Sequence, residues 1–129
     1  IRKPENGILI ATNHYLCPEV KPYEVPRDAY FNNRNMPADL RKRRVHESSE
    51  NRYDNLNNLI KKNIFIGIKE IENILKDHNN LDMGNDNTIR RHGGLLSTQV
   101  GIIFVPKNRM IKVFFGHPCK TDYLTYYLE

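Results

Sequence analysis

Residues 97 to 119, "STQVGIIFVPKNRMIKVFFGHPC", hold two β-prone apolar runs separated by Pro106, Lys107, Asn108 and Arg109. Such a pair predicts an antiparallel hairpin, with Asn108 available for a left-handed turn position. The hairpin constrains everything ahead of it. Ser48 and Ser49 offer an N-cap to "ENRYDNLNNLIKKN", where Tyr53, Leu56, Leu59 and Ile60 share one helical face. "GIKEIENILKDH" repeats the pattern with Ile68, Ile71, Ile74 and Leu75, and places Lys76 and His78 late, where the helix dipole favours them. Two helices followed by a hairpin predict an α+β chain, with helices on one face of a mainly antiparallel sheet.

Earlier in the chain, "GILIATN" over residues 7 to 13 is almost continuously apolar, as expected of a central strand covered on both faces. The residues before it, "IRKPENG", read as a surface approach to that strand. Residues 15 to 47 carry Pro18, Pro22, Pro26 and Pro37 among mixed charges and predict a long excursion with little regular structure. A polar connection rich in Asn, Asp and Gly spans residues 79 to 94.

Length and charge bound the function. At 129 residues the chain is about one domain. No apolar run approaches the ~20 residues that cross a bilayer, so neither a span nor a membrane partner is expected. The net charge of +5 comes largely from "RNMPADLRKRR" at 34 to 44. That run lacks interleaved aromatic residues for base stacking, and reads as a solvated face rather than a nucleic-acid site. Cys17 and Cys119 form no CxxC pair; a disulfide between them is open but not implied, and two cysteines in a chain of this size are more often the usage of a reduced, intracellular protein, so a cytoplasmic location is the expectation.

Asn13, at the predicted strand end, is suited to point its NH2 at a developing oxyanion without adding charge. Arg52, in the first turn of the first helix, supplies a permanent cation able to hold a carboxylate or favour a thiolate. Taken as a set, "NGILIATNHYLCPE", "SSENRYDNL", "IRRH" at 89 to 92 and the C-terminal hairpin resemble the later half of the acyl-coenzyme A:6-aminopenicillanic acid acyltransferase family. That family is related to the choloylglycine hydrolases and other N-terminal-nucleophile amidases. The resemblance covers nearly all of the chain.

Carried over by residue, it implies that Asn13 supports the oxyanion and that Arg52 lies beside the nucleophile. Thr12 and His14 complete the Thr-Asn-His element, and Ser48 and Ser49 the Ser-Ser-x-x-Arg element. The family's Cys-Arg-His motif is matched by Arg91 and His92, with Arg90 in the cysteine's place. Thr12, His14, Arg91 and His92 are therefore expected as supporting residues. Gly116, Pro118 and Cys119 match a Gly-x-Pro-Cys element whose role is to shape the turn.

Members of the family cut themselves to expose an N-terminal cysteine, whose own amine serves as base toward its thiol. Neither Ile1 nor the two internal cysteines fill that position. Residues 1 to 129 are thus expected to be a single domain or the C-terminal fragment of an αββα sandwich. The remaining N-terminal part would be the partner, a small amide or acyl compound the substrate, and no cofactor is implied. Two alternatives stay open: a non-catalytic binding module using the 15-to-47 excursion, and a zinc site built from His14, Cys17, His117 and Cys119.

Overall fold

The computed structural model describes residues 7–81 and 83–129. The expected surface approach over residues 1 to 6 lies outside them. Two helices, α1 (Glu47–Lys62) and α2 (Ile68–Lys76), precede three strands, β1 (Val100–Val105), β2 (Met110–Phe115) and β3 (Leu124–Tyr127). The strands form one antiparallel sheet in the order β1-β2-β3, so the chain is α+β with two helices and a three-stranded sheet.

Helix α1 begins before the expected cap. His46 holds the N-cap position with helical backbone angles and no side-chain cap. The Ser48 and Ser49 hydroxyls are engaged instead in contacts to other segments, with the Asp86 carbonyl and with His14. Glu47 and Glu50 in the first turn and Lys61 and Lys62 in the last match the helix dipole. The Asn63 side chain then donates to the Leu59 carbonyl at 2.7 Å and closes the C-terminal end. At the start of α2, the Gly67 N–H donates to the Glu70 carboxylate at 2.9 Å.

The hairpin turn is a short 3-10 segment, Pro106–Asn108, and the left-handed residue is Arg109 (φ 48°), not Asn108. Proline fixes the first turn residue and Asn108 completes the 3-10 turn. The chain therefore reverses one position later. β3 has no counterpart among the sequence-based expectations. Its four exposed residues, "LTYY", carry no apolar alternation that marks a buried face.

Residues 7 to 13 differ from expectation too. Among the described residues, this segment carries one bridge position, Ile8, and does not join the sheet. Its apolar side chains line instead a groove of about 650 Å³ with Leu56 and Ile60 of α1 and Ile71, Ile74 and Leu75 of α2. The run is not covered on both faces: it lies along an open groove of helix side chains rather than between strands, and Ile8 is 37% and Leu9 50% exposed. The 15-to-47 excursion does lack long elements. It contains two 3-10 turns, Lys21–Tyr23 and Ala38–Leu40, and one antiparallel bridge between Tyr30 and Arg44.

The core is small: among the described residues the buried apolar side chains are Ile74 of α2, Ile103 of β1, and Met110 and Phe114 of β2, with α2 packed against β1. Strand alternation puts Gly101, Ile103 and Val105 with Met110, Lys112 and Phe114 on the helix side. Phe114 lies over Gly101, where a Cβ would come within 2.0 Å of the ring. Tyr123 flanks this core edge-on to Phe114, under Lys76 and Lys112, and Lys112 pairs with Glu72. Burial, helped by Glu72, pushes the Tyr123 phenol up to about 12.

The opposite face of the sheet is also apolar. Val100, Ile102 and Phe104 of β1, Ile111, Val113 and Phe115 of β2, and Leu124 and Tyr126 of β3 share it. It is open: Ile102 and Phe115 are each 62% exposed and Phe104 is 55% exposed.

Because Phe114 occupies the space a side chain at position 101 needs, Gly101→Val is expected to destabilise the fold by about 1–3 kcal/mol. Urea unfolding measures this. An unshifted midpoint would mean that Phe114 does not rest on Gly101.

Candidate active site around Asn13 and Arg52

The start of α1 gathers three separate stretches of chain. At helical spacing, Ser48, Ser49 and Arg52 point to neighbouring parts of one side. Arg52 Nε donates to the Ser48 carbonyl one turn back at 3.1 Å, which holds the guanidinium along the helix. Its Nη2 then donates to Asn13 Oδ1 at 2.7 Å. The two residues singled out from the sequence as catalytic are therefore in direct contact.

The bond has a chemical consequence. With Oδ1 committed to a cation, the Asn13 carboxamide has a fixed orientation, and its Nδ2 hydrogens are directed away from Arg52. Nδ2 makes no hydrogen bond among the described residues, and Asn13 is exposed. An amide donor with its acceptor already satisfied is thus presented at the surface.

Thr12 and His14 anchor the residues on either side of Asn13. His14 is buried, and its Nδ1 lies 2.8 Å from Ser49 Oγ and 3.1 Å from Thr12 Oγ1. Thr12 Oγ1 donates to the Ser49 carbonyl at 3.0 Å. Tyr53 packs its ring edge against the imidazole at 5.6 Å between centroids. This network ties residues 12 to 14 to α1, and the Cys17 thiol bonds Glu19. Burial lowers the His14 pKa, and the nearby Glu24 and Glu50 only partly oppose it.

Arg91 adds charge to the same region. Burial lowers the Arg52 pKa, and the Arg91 cation lowers it further. Neither arginine has an ion-pair partner among the described residues, and Arg91 Nε is buried without a hydrogen bond. Two uncompensated guanidiniums make a local field that favours an anion. His92, by contrast, makes no hydrogen bond or ring contact with the Asn13–Arg52 group. It faces His78, His117 and Cys119. Burial and the neighbouring Arg90 cation lower its pKa.

On the other flank of α1, Arg43 holds Glu47 and Asp86 at 3.2 Å each. Asp86 also accepts the Leu96 N–H at 2.8 Å. Sequence reasoning missed the tie between Ser49 and His14, because both serines carried the ordinary signal of a helix cap. Arg90, in the place of the resembled motif's cysteine, is completely buried. The zinc alternative is not assembled as expected. Among the described residues, the one group of metal-ligating side chains is His78, His92 and Cys119, without His14 or Cys17. No family model, curated protein or solved structure matches this chain.

Because the folded state lowers the His14 pKa below 6.5, the unfolded chain binds more protons as pH falls past that value. Stability is expected to be fully present above about pH 6.5 and to decline as pH falls through the folded value. His92 and His117 shift in the same direction. His14→Gln should therefore flatten, not abolish, the pH dependence of the urea midpoint. An unchanged slope would mean that His14 is not held neutral by the fold.

Proposed function

We propose that this chain is the C-terminal part of a cysteine N-terminal-nucleophile amidohydrolase or acyltransferase that acts on linear amide C–N bonds. The observation that carries this reading is the 2.7 Å bond from Arg52 Nη2 to Asn13 Oδ1, which leaves the Asn13 NH2 as an oriented donor. In the proposed reaction a cysteine thiolate from another polypeptide attacks the amide carbonyl. Asn13 Nδ2 donates to the resulting oxyanion, and Arg52 with Arg91 adds a positive field. Collapse of the tetrahedral adduct expels the amine, protonated by the nucleophile's own α-ammonium group. Water, or an acceptor amine, then releases the acyl group.

The sheet supports the same reading. Its helix-covered face and its open apolar face suit one half of an αββα sandwich, in which a second sheet would cover Ile102, Phe104 and Phe115. The proposed occupant of that face is the N-terminal part of the same enzyme. A single sheet with both faces apolar is otherwise costly to leave in water.

The test is to purify the chain from its native source with whatever it binds, sequence the partner's N-terminus, and assay acyl p-nitroanilides. The expected result is a partner beginning with cysteine and amide hydrolysis abolished by thiol alkylation. Asn13→Ala is expected to lower turnover by about 10²–10³-fold with the assembly intact. Arg52→Lys should lower it as well, since an ammonium does not reproduce the two-nitrogen grip on Ser48 and Asn13. A partner without hydrolytic activity, or an Asn13→Ala enzyme with full turnover, would overturn the proposal.

A further inference from the structure

A second cluster lies apart from the Asn13–Arg52 contacts, where three stretches of chain meet. His78 follows the C-terminal end of α2, His92 belongs to the polar connection, and Cys119 follows β2. His78 Nε2 and His92 Nε2 are 3.0 Å apart, and Cys119 Sγ is 4.0 Å from His92 Nε2. All three donor atoms lie within 4.8 Å of one another. We propose that His78, His92 and Cys119 bind a divalent transition-metal ion of the zinc class, with a fourth coordination position left for an exogenous ligand.

The spacing fits a tetrahedral ion. Bonds of about 2.0–2.1 Å to imidazole nitrogen and about 2.3 Å to thiolate place neighbouring ligands roughly 3.3–3.6 Å apart. The two separations at His92 bracket that range and all three donors lie within 4.8 Å of one another, so side-chain rotations that move the donors by up to about 1 Å bring them onto one centre. Two imidazoles and one thiolate are also the donor set that favours zinc over magnesium or calcium, which select oxygen.

The protonation pattern suits a ligand as well. The Gly84 N–H is directed at His92 Nε2 at 3.4 Å, marking that nitrogen as the unprotonated one. His78 Nε2 is then the donor in the ring-to-ring hydrogen bond. Metal binding replaces that bond: the His78 proton moves to Nδ1 and the Cys119 thiol releases its proton to solvent.

The three ligands are held before any ion arrives. The Arg90 N–H donates to the Asp77 carbonyl at 3.2 Å, tying the connection to the residue before His78. The His92 N–H donates to the Gly84 carbonyl at 3.4 Å. This turn is wound so tightly that a Cβ on Gly93 would lie 2.5 Å from that same oxygen. Cys119 sits in a turn whose preceding residue, Pro118, is fully buried, and the His117 carbonyl accepts the Lys120 and Thr121 N–H groups at 2.8 and 2.9 Å. A bound ion would therefore cross-link three stretches around a core of only a few apolar residues.

Arg90 narrows the choice of fourth ligand. Its guanidinium is completely buried, and all three nitrogens lack hydrogen-bond partners. That unpartnered buried cation favours an anion such as chloride, hydroxide or a carboxylate at the open position.

Titration of the reduced full chain with Co²⁺ tests the site. The expected result is saturation at one ion per chain, tetrahedral d–d bands, and a sulfur-to-cobalt charge-transfer band displaced by Zn²⁺. His92→Gln should weaken binding by at least about tenfold, and Cys119→Ser should remove the charge-transfer band while Cys17→Ser keeps it. In the unaltered chain, Zn²⁺ should slow alkylation of Cys119 and leave Cys17 unaffected, which tests the site without relying on a variant's folding. Absence of the bands at saturating Co²⁺, their survival in Cys119→Ser, or equal alkylation of Cys119 with and without Zn²⁺ would overturn the proposal.

Discussion

The Arg52 guanidinium joins two parts of the chain that have no strand pairing to unite them. One of its nitrogens holds its own helix at the Ser48 carbonyl, and another reaches the Asn13 carboxamide. Burial makes this cation costly, and the nearby Arg91 adds repulsion. A half-buried guanidinium in that position is stable only while its hydrogen bonds are kept. The placement of residues 12 to 14 on α1 thus depends on Arg52, with Thr12, His14 and Ser49 as a second attachment. Electrostatic cost and site geometry are two aspects of one arrangement.

The sheet has the opposite character, since its constraint is apolar. Ile103, Met110 and Phe114 are buried on one face, with α2 packed against β1, while Ile102, Phe104 and Phe115 are exposed on the other face of the same strands. Burying that second face would bring a further layer against the sheet, and the proposed sandwich supplies one. Lys112 and Tyr123 at the helix-side margin show how the covered face ends, with a cation and a phenol shielding the edge of Phe114.

The sequence foretold both helices and the hairpin because each is carried by local periodicity within a few turns or a single reversal. It misplaced residues 7 to 13, since an apolar run says neither what it will lie against nor how far it will be covered, and Ile8 and Leu9 stay exposed. β3 escaped notice because "LTYY" pairs with β2 by backbone hydrogen bonds while its side chains stay exposed. Asn13 and Arg52 stood out through family resemblance, and their contact spans 39 positions that no spacing rule connects. Cys119 was expected as a zinc ligand with other partners and His92 as a supporting residue, but their grouping with His78 was not legible: 14 positions separate the two histidines and 27 separate His92 from the thiol, with no ligand motif in either interval.

A double-mutant cycle between Asn13→Ala and Arg52→Ala, read by urea unfolding, tests most directly whether these two side chains form a single unit. Removing either partner breaks the same bond, so the two losses should be non-additive, with a coupling energy of about 1 kcal/mol. Strictly additive losses would contradict the clamp and separate Asn13 from Arg52.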